Sequence, residues 1–462
     1  MTGPRLLHYS DVENAYDTPE RIGRLAGTLR ERHDADPDSA LVCGTGDNLA
    51  PGVLALTTRG AQALDFFERV GTDVETFGNH DFDFGPERTR ELVAESPQQW
   101  VTANVEAAGA RFAADHTVAW TVREAGGAGV GFVGVTSALT ASINPKAKDL
   151  GFTEPVLAAR EAIAELRDAH DPEYVVALSH LGRGDERLAA ETDVDVVLGG
   201  HLHAETVERF DGTILTRPGV NGAVCFEVFP ETGEVRRHAV EDGPLDAALA
   251  ENLRGRMADA GLDEVVAHVD EPVERTETAC FHGESRIGNF VADAYLWAGN
   301  RAVEGGVDLA LQNSGGVRSG PPLDGDVTVG DLVSVIPFDE PAVVVELDGA
   351  ALRAVLAESG GSDVGFGAPD WWHGHVAGAH LVYDYAGHDL VSATVGGEPI
   401  EDDRTYRLVT AAYLLHTADE FPTLTGLERI ATLDTQYRLL VDYARERGID
   451  PAVEGRVERR GL

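Results

Sequence analysis

Short apolar runs alternate with amphipathic stretches through the first half of the chain. Apolar runs bounded by turn residues indicate buried strands, and they lie at residues 5–9, 40–43, 100–104, 130–135, 174–178 and 194–198. Apolar residues at helical spacing between these runs predict helices at about residues 57–70, 86–95 and 154–169. Another helix is predicted to begin at Thr18-Pro19, with Thr18 as the N-cap and Pro19 at the first helical position. The alternation predicts a layered α/β domain that ends near residue 241.

A predicted helix separates this first domain from the second half of the chain. Residues 244–262 carry a helical pattern with few turn signals, and a second α/β segment begins near residue 269. We therefore divide the chain into a first domain at residues 1–242, a connecting helix within 243–266 and a second domain at 267–462. A long loop at residues 360–378 either covers a pocket or packs on the surface.

The charge of the chain bears on its surroundings and partners. The 462 residues carry a formal net charge of −42, and Lys146 and Lys148 are the only lysines. Because the acidic excess runs through the whole chain and does not form a tail, it predicts an acidic surface suited to concentrated salt. The same charge argues against nucleic-acid polymers and anionic membranes as partners.

The apolar content and the cysteines narrow the class of protein. A hydrophobic content of 43% is that of a globular protein, so each half can bury a core. Cys43, Cys225 and Cys280 are too scattered for a disulfide framework, and we expect them to be small buried residues. No apolar run approaches the ~20 residues of a membrane span, and the N-terminus shows no apolar signal core. We therefore expect a soluble, cytoplasmic protein.

Five polar segments of the first domain share one form, because each places His, Asp or Asn in a loop. Four of them directly follow an apolar run. Taken singly, each has an ordinary explanation as a turn, a solvated loop or a core histidine. Together they indicate one site, since ligands gather where the strands of layered α/β domains end. The segments are Asp11-Val12-Glu13, Gly46-Asp47-Asn48, Gly78-Asn79-His80-Asp81-Phe82-Asp83, Ser179-His180-Leu181-Gly182 and Gly199-Gly200-His201-Leu202-His203.

The side chains in these segments suit a pair of divalent metal ions. Carboxylates, an amide oxygen and neutral imidazoles are ligands for Mn, Mg, Co, Zn or Fe, and no thiolate is required. One carboxylate must bridge the two ions, and Asp47 is the candidate. His201 and His203 are expected to face the same way on an extended segment. Two ions about 3.5–4 Å apart clamp the attacking and leaving oxygens of a phosphoryl transfer.

The order of these segments resembles the calcineurin-like metallophosphoesterase superfamily, which shows Asp-x-His, Gly-Asp, Gly-Asn-His-(Asp/Glu), His and Gly-His-x-His. The second half resembles the C-terminal domain of 5′-nucleotidases in residues 283–290, 313–318, 336–338 and 377–384. Those ranges are similar to its Glu-Ser-Asn-Leu-Gly-Asn, Asn-Gly-Gly-Gly-Ile-Arg, Pro-Phe and Ser-Gly-Leu segments. The resemblance implies a four-layer α/β/β/α sandwich, a connecting helix and an α/β substrate-binding domain. With its acidic composition, the chain looks like a haloarchaeal type of 5′-nucleotidase.

The resemblance also implies roles for individual residues of the first domain. His80 would face the phosphate and stabilise its developing charge or the leaving oxygen. Asp83 would hold His80 in orientation, as carboxylates often do for histidines. Asp47 would bridge the two ions. The implied metal ligands are Asp11, Asp47, Asn79, His180, His201 and His203, with Glu13 in the place of a further ligand.

The implied substrate contacts lie in the second domain. Arg318 would meet the substrate phosphate as a fork-shaped donor. Asn313 would hydrogen-bond the edge of the base, and Phe338 and Tyr413 would sandwich it. Asp419 would accept hydrogen bonds from the ribose hydroxyls. The last two assignments rest on a loosely patterned stretch of the family, at residues 412–421.

Two departures from the family pattern affect these expectations. Glu13 stands where the first motif has histidine; its oxygen and charge favour Mn or Mg over Zn, or leave one ion weakly bound. The family arginine just before the Glu-Ser segment is missing, because this chain has Cys280-Phe281-His282-Gly283 there. Arg286 either replaces that phosphate contact or pairs with a surface carboxylate.

The sequence therefore predicts an enzyme that hydrolyses nucleoside 5′-monophosphates, or related nucleotides, by metal-bound hydroxide. Mn is the expected metal, with Mg, Co, Zn and Fe as alternatives. A 2′,3′-cyclic nucleotide, a UDP-sugar, NAD or a sulfur ester is an alternative substrate for the same scaffold. A non-catalytic nucleotide- or metal-binding protein is the remaining alternative. The oligomeric state is left open.

Overall fold

The computed structural model describes residues 3–361 and 370–461, and residues 362–369 of the predicted loop at 360–378 lie outside that description. The chain divides into two compact units, Met1–Ala260 and Gly261–Leu462. Within the described residues, no helix combines the length and the apolar content needed to cross a membrane. All three cysteines are buried and reduced, as the sequence predicts.

The first unit is built on two large sheets. The seven-stranded sheet has the order β16-β15-β1-β2-β3-β4-β7, and the six-stranded sheet has the order β13-β14-β12-β11-β9-β8. A small third sheet has the order β10-β5-β6. The strands are β1 Arg5–Tyr9, β2 Ala40–Gly44, β3 Val74–Glu75, β4 Gln99–Val101, β5 Val105–Ala107, β6 Ala110–Arg111, β7 Thr117–Val118, β8 Trp120–Ala125, β9 Ala128–Thr136, β10 Gly151–Phe152, β11 Tyr174–His180, β12 Val196–Gly199, β13 Thr206–Phe210, β14 Thr213–Arg217, β15 Val224–Phe229 and β16 Glu234–Ala239.

The described residues of the first unit form eight α-helices, some of which pack directly on the outer faces of the two large sheets. They are α1 Pro19–Asp34, α2 Val53–Thr58, α3 Gln62–Val70, α4 Pro86–Glu95, α5 Thr140–Ile143, α6 Pro155–Ala169, α7 Gly184–Glu191 and α8 Ala247–Asp259. Short 3-10 helices lie at Glu13–Asp17, Pro37–Ser39, His80–Phe82, Pro145–Ala147 and Val240–Asp242.

The layers follow from where the apolar side chains point. Residues such as Leu41 of β2 and Phe132 of β9 form a core between the two sheets. A second core lies on the other face of the six-stranded sheet, where Ile163 of α6 and Leu188 of α7 pack. Helix α1 packs against β1 and β2 of the seven-stranded sheet. The first unit is therefore the expected four-layer α/β/β/α sandwich.

Several helix boundaries differ from the sequence prediction. The helix predicted at 57–70 is two helices, α2 and α3, because Arg59 and Gly60 adopt left-handed backbone angles (φ of 52° and 82°) that end α2. Helix α1 begins at Pro19 as predicted, but the Thr18 side chain makes no capping hydrogen bond. The helix predicted within 243–266 is α8; it begins after Asp246 and packs against α1 and α3 of the first unit.

The second unit contains a five-stranded sheet of order β21-β18-β25-β20-β26, a four-stranded sheet of order β24-β23-β22-β27 and the pair β17-β19. The strands are β17 Val265–Arg275, β18 Leu309–Asn313, β19 Gly320–Thr328, β20 Pro341–Asp348, β21 Gly374–Ala377, β22 Ala379–Asp384, β23 Asp389–Val395, β24 Glu398–Pro399, β25 Thr405–Ala411, β26 Arg429–Thr435 and β27 Val457–Arg460. The helices are α9 Glu277–Phe281, α10 Arg286–Ala302, α11 Val329–Val333, α12 Gly349–Glu358 and α13 Gln436–Arg447, with 3-10 helices at Ser314–Gly316, Ala412–Leu415 and Pro422–Leu424. Helices α10 and α13 pack on one apolar core, and α12 packs on the other.

Candidate metal centre and nucleotide-binding residues

The five polar segments of the first unit all lie at the carboxyl ends of strands. The segments that contain Asp11, Asp47 and Asn79 follow β1, β2 and β3 of the seven-stranded sheet. His180 ends β11, and His201 follows β12, in the six-stranded sheet. Both sheets therefore contribute polar loops to the same end of the sandwich.

These loops bring the predicted ligands together in two groups. Asp47, His180 and His201 each offer a ligand atom, and those atoms lie within 4.8 Å of one another. Asp11, Glu13 and His203 form a second group that meets the same limit. His201 and His203 belong to different groups. The expectation of an extended segment is wrong at His201, whose backbone is left-handed with a φ of 72°.

The first group is held by hydrogen bonds from its histidine. Nε2 of His180 lies 3.0 Å from Oδ2 of Asp47, and Nδ1 of His180 lies 2.7 Å from the carbonyl oxygen of Thr45. A ring nitrogen facing a carbonyl must donate, so Nδ1 carries a proton, and Nε2 would become a ligand atom when a cation displaces the proton that Asp47 favours there. Burial opposes protonation, yet the Asp47 carboxylate raises the pKa of His180 to about 10.

The second group contains the residue that departs from the family motif. Oε1 of the buried Glu13 lies 3.1 Å from Nε2 of His203, and Oδ1 of Asp11 lies 3.9 Å from the same atom. Asp11 also accepts a hydrogen bond from the main-chain nitrogen of His201 at 3.1 Å. Glu13 therefore points into the group, where it can serve as a ligand.

The donor set fits divalent cations on two further observations. Oδ1 of Asn79 is buried and has no hydrogen-bond partner among the described residues, which is unusual for an amide oxygen. Burial and the charges of the nearby Asp47 and Glu13 carboxylates raise the pKa of Asp11 to about 7. Buried carboxylates this close repel one another unless a cation lies between them. The site is therefore built to hold positive charge.

His80 and Asp83 form the predicted pair beside these groups. Nδ1 of His80 lies 2.9 Å from Oδ2 of Asp83, and the His80 main-chain nitrogen donates to Oδ1 of Asp47 at 2.7 Å. The Asn144 side chain donates to Oδ1 of Asp83 at 2.9 Å. Burial opposes the charged ring, but Asp83 and Asp47 raise the pKa of His80 to about 10. The half-exposed imidazole can therefore present a protonated Nε2 to an anion.

Asp81 organises the loops at this site and was given no role by the sequence reasoning. Its Oδ1 accepts from the main-chain nitrogens of Asn48 and Leu49, and its Oδ2 accepts from those of Asp47 and Gly78. A Cβ atom at Gly78 would lie 2.1 Å from Oδ1 of Asp47, so only glycine fits there. The signal for Asp81 was its place in the Gly-Asn-His-Asp segment.

Glu75 is a second buried anchor, and nothing in the sequence marks it. Its Oε1 accepts from the main-chain nitrogen of Gly46 and from Nδ2 of Asn48, each at 3.1 Å. The Tyr9 hydroxyl lies 2.8 Å from its Oε2. Asn48 in turn accepts from the main-chain nitrogen of Val12 at 3.2 Å. These bonds tie the loops that carry Asp11, Glu13 and Asp47 to one carboxyl group.

The second unit places the predicted nucleotide-binding residues on neighbouring loops. Asn313 ends β18, and its Nδ2 donates to Oε1 and Oε2 of Glu420 at 3.2 and 3.0 Å. The Arg318 guanidinium lies over the Phe338 ring, 4.9 Å from its centroid. The positive charge of Arg318 also acts on the carboxyl group of Glu420, the partner of Asn313.

The other two predicted contacts belong to the following loop. Tyr413 is half-buried, and burial and the Glu420 charge raise the pKa of its hydroxyl. Asp419 is exposed, and its Oδ2 accepts from the Thr417 hydroxyl at 3.1 Å. Glu420 itself was missed, although it directly follows Asp419.

Arg286 lies near a surface carboxylate, the second of its two expected roles, with 4.0 Å between its Nη2 and Oδ1 of the exposed Asp450. Its Nε donates to the carbonyl oxygen of Pro451 at 2.8 Å, and its Nη1 donates to those of Glu271 and Pro272 at 3.1 and 2.9 Å. Three main-chain carbonyls therefore hold the guanidinium, which gives it a structural role at the start of α10.

Comparison with known proteins agrees with this arrangement. Residues 4–205 match the calcineurin-like phosphoesterase family, and residues 265–426 match the 5′-nucleotidase C-terminal domain. The chain belongs to the 5′-nucleotidase family. Like its relatives in this family, it is a metal-dependent phosphoester hydrolase.

The relatives are distant in sequence but similar along the whole chain. Human 5′-nucleotidase is 24% identical over 95% of this chain and 85% of its own length. The trifunctional nucleotide phosphoesterase protein YfkN of Bacillus subtilis is 24% identical over 98% of this chain, which spans only 34% of that relative. The crystal structure of a 5′-nucleotidase precursor from Thermus thermophilus shares the fold, with a TM-score of 0.77, 24% identity and 99% of both chains covered.

Proposed function

We propose that this chain hydrolyses nucleoside 5′-monophosphates to nucleoside and phosphate with two divalent metal ions. The observation that carries the proposal is the pair of ligand groups in the first unit, each with carboxylate and imidazole atoms within 4.8 Å of one another. Because Glu13 adds a carboxylate where the family has histidine, Mn is the proposed metal, ahead of Mg, Co, Zn and Fe.

The proposed ligands follow the two groups. Asp11, Glu13 and His203 hold one ion, whereas Asn79, His180 and His201 hold the other, and Asp47 bridges them. Two such ions, when bound, neutralise phosphate charge and activate a water molecule for attack.

The chain's own residues supply charge and orientation. His80, kept protonated by Asp83 and Asp47, donates from Nε2 to a phosphate oxygen or to the leaving oxygen, which gains negative charge as its bond breaks. Arg318 is proposed to donate to the phosphate. Phe338 and Tyr413 are proposed to stack on the base, Asn313 to meet its edge and Asp419 to accept from the ribose.

The test is metal-dependent phosphate release from AMP. Protein stripped with a chelator should be inactive, and added Mn should restore turnover in concentrated salt. Asp47→Asn should lower the restored rate at least about 100-fold, because it weakens the binding of both ions. Asp149→Asn, which changes the same charge at an exposed position, is the matched control and should leave the rate within about twofold. Turnover that needs neither metal nor Asp47 would contradict the proposal.

The main-chain contacts of Arg286 support a broader substrate range. Because main-chain carbonyls hold Arg286, and the segment at 280–283 lacks arginine, this chain has fewer phosphate contacts than the family pattern. YfkN is described as trifunctional, and a structure with this fold is an NAD nucleotidase from Haemophilus influenzae. Turnover of 2′,3′-cyclic AMP, UDP-glucose and NAD should therefore be compared with that of AMP.

The same preparation tests the non-catalytic alternative. Two ions per chain at saturation are expected from the two ligand groups. Fewer than two, together with nucleotide binding and no turnover, would indicate a binding protein.

A further inference from the structure

Glu420 is a buried carboxyl group whose hydrogen bonds are incomplete. Glu420 is only 5% exposed. Among the described residues, the only donor to it is Nδ2 of Asn313, at 3.2 and 3.0 Å from the two oxygens. A carboxylate offers about four acceptor positions, so most of them face no donor. Buried acceptors that lack a donor are rare in folded proteins, and one cause is a ligand that donates to them when it binds.

The neighbourhood of Glu420 is that of the proposed base. Asn313 contacts it directly, and Tyr413 and Arg318 lie near enough for their charges to interact with it. Arg318 lies over the ring of Phe338. Of the residues proposed to meet the base, Asn313 contacts this carboxyl group and Tyr413 lies near it, while Phe338 lies against the nearby Arg318.

Both oxygens of Glu420 accept from the same nitrogen of Asn313, so the group is turned towards its donor as an acceptor. Burial and the charge of Asp419 raise the pKa of the Glu420 carboxyl, whereas Asn313 and Arg318 act in the opposite direction.

Holding Asn313 does not by itself account for a carboxylate at this position. Oδ1 of Asn313 already accepts from Nε2 of Gln312 at 3.0 Å, so the amide is oriented from its other end. Arg318 supplies a positive charge near the carboxyl group. A donor from a ligand would fill the acceptor positions that Asn313 leaves open among the described residues.

We propose that Glu420 makes this chain select nucleotides whose base carries an exocyclic amino group, adenine and cytosine, over their carbonyl counterparts hypoxanthine and uracil. The inference rests on the proposed nucleotidase function and assigns the base preference of that site. An amino group donates to the carboxylate, whereas a carbonyl oxygen at the same ring position faces it with two acceptors and no proton. Sites built to pair a substrate N–H discriminate strongly against analogues that lack it.

The test compares matched substrates with the full chain loaded with Mn. The ratio of kcat/KM for AMP over IMP, and for CMP over UMP, is expected to be about 10 to 100 in the natural chain. Glu420→Gln replaces one acceptor by a donor and should lower both ratios to within about threefold of unity. Most of the change should come from faster turnover of IMP and UMP, because the amide of the variant can donate to their carbonyl oxygens. Glu428→Gln removes an exposed carboxylate from the same unit and should change neither ratio.

Two outcomes overturn the proposal: ratios near unity in the natural chain, or ratios that Glu420→Gln leaves unchanged. If Glu420→Gln does not fold, as judged by its melting temperature, the natural chain's ratios still decide. Calorimetric binding of adenosine and inosine separates this inference from the proposed function. Tighter binding of adenosine without turnover of any nucleotide would reject the nucleotidase and retain the base preference. Equal binding of both nucleosides would reject the preference while turnover could stand.

Discussion

The imidazole of His80 is fixed by Asp83, with 2.9 Å between Nδ1 and Oδ2. The same carboxylate accepts from Asn144, so Asp83 is itself held in place. This pair keeps a positive charge at the edge of the ligand groups, with Nε2 directed away from Asp83. A charge fixed before the substrate arrives stabilises negative charge that develops only during the reaction.

Replacing Asp83 should therefore slow the chemical step more than it weakens binding. For Asp83→Asn we expect kcat for AMP to fall about 10- to 100-fold, with KM changed less than about threefold. The reason is that an asparagine neither raises the pKa of His80 nor sets its ring tautomer. Steady-state kinetics with Mn measure this, and Asp149→Asn serves as the exposed control. An unchanged kcat would show that the His80–Asp83 contact is only structural.

Glu75 gives a pH dependence of stability that can be isolated by substitution. Burial, and next the charge of Asp81, raise its pKa from 4.5 to about 8. The folded chain therefore keeps a proton at Glu75 that the unfolded chain releases, and stability falls as the pH rises through this window. Glu75→Gln cannot ionise. As the pH rises, the free energy of unfolding of this variant, measured relative to that of the natural chain, should therefore increase by up to about 1.4 kcal/mol per pH unit.

Urea unfolding of metal-free protein between about pH 5 and pH 8 measures this difference, because a bound cation would itself lower the pKa of Glu75. Glu161→Gln, at an exposed position of the same unit, should show no such trend. Parallel pH profiles for Glu75→Gln and the natural chain would show that Glu75 is ionised in the fold.

The residues of the candidate metal site could be chosen from the sequence, but their grouping could not. Asp47 and His180 stand out because each follows a predicted apolar strand, and Asn79 stands out by its place in the Gly-Asn-His-Asp segment. Whether two neighbouring ligands share a group depends on backbone angles that no pattern reveals. His201 and His203 join different groups because His201 has a left-handed backbone.

The supporting carboxyl groups were harder to predict for a physical reason. Glu75 lies at the end of β3 and is paired to residues far away in the chain, at Tyr9 and Asn48. Sequence patterns report local periodicity, whereas such buried anchors are defined by long-range hydrogen bonds. The same holds for Glu420, whose partner Asn313 is 107 residues away.

Asp246 should set the stability of helix α8 and of its attachment to α1 and α3. It accepts from the main-chain nitrogen of Leu249 at 3.1 Å, and its Oδ2 lies 3.0 Å from Arg30 and 2.5 Å from Arg69. Asp246→Ala loses both the cap and the ion pairs, and should lower the free energy of unfolding by about 1–3 kcal/mol. Asp246→Asn keeps the cap and should lose less. Asp259→Ala, at the exposed other end of α8, should stay within about 0.5 kcal/mol. Equal effects of the two Asp246 variants would contradict a capping role.

Salt should stabilise the chain by screening its net charge of −42. The Debye length falls from about 10 Å at 0.1 M to about 3 Å at 1 M, so the melting temperature should rise mostly within this range. NaCl and KCl at equal ionic strength should act alike, because screening does not depend on the cation. A melting temperature that does not change with salt concentration would contradict adaptation to concentrated salt.

Glu13 should set the metal preference of the second ligand group. Its Oε1 lies 3.1 Å from Nε2 of His203, so a ligand at this position shares an ion with that histidine. Glu13→His restores the nitrogen ligand of the family motif and should raise Zn-supported turnover relative to Mn-supported turnover about tenfold. Glu13→Gln keeps an oxygen ligand without the charge, so it should weaken binding of either metal and leave the ratio closer to that of the natural chain. Calorimetry of Mn and Zn binding to metal-free protein, beside phosphate release from AMP, measures both effects. If Glu13→His changes neither affinity nor ratio, Glu13 does not bind a metal ion.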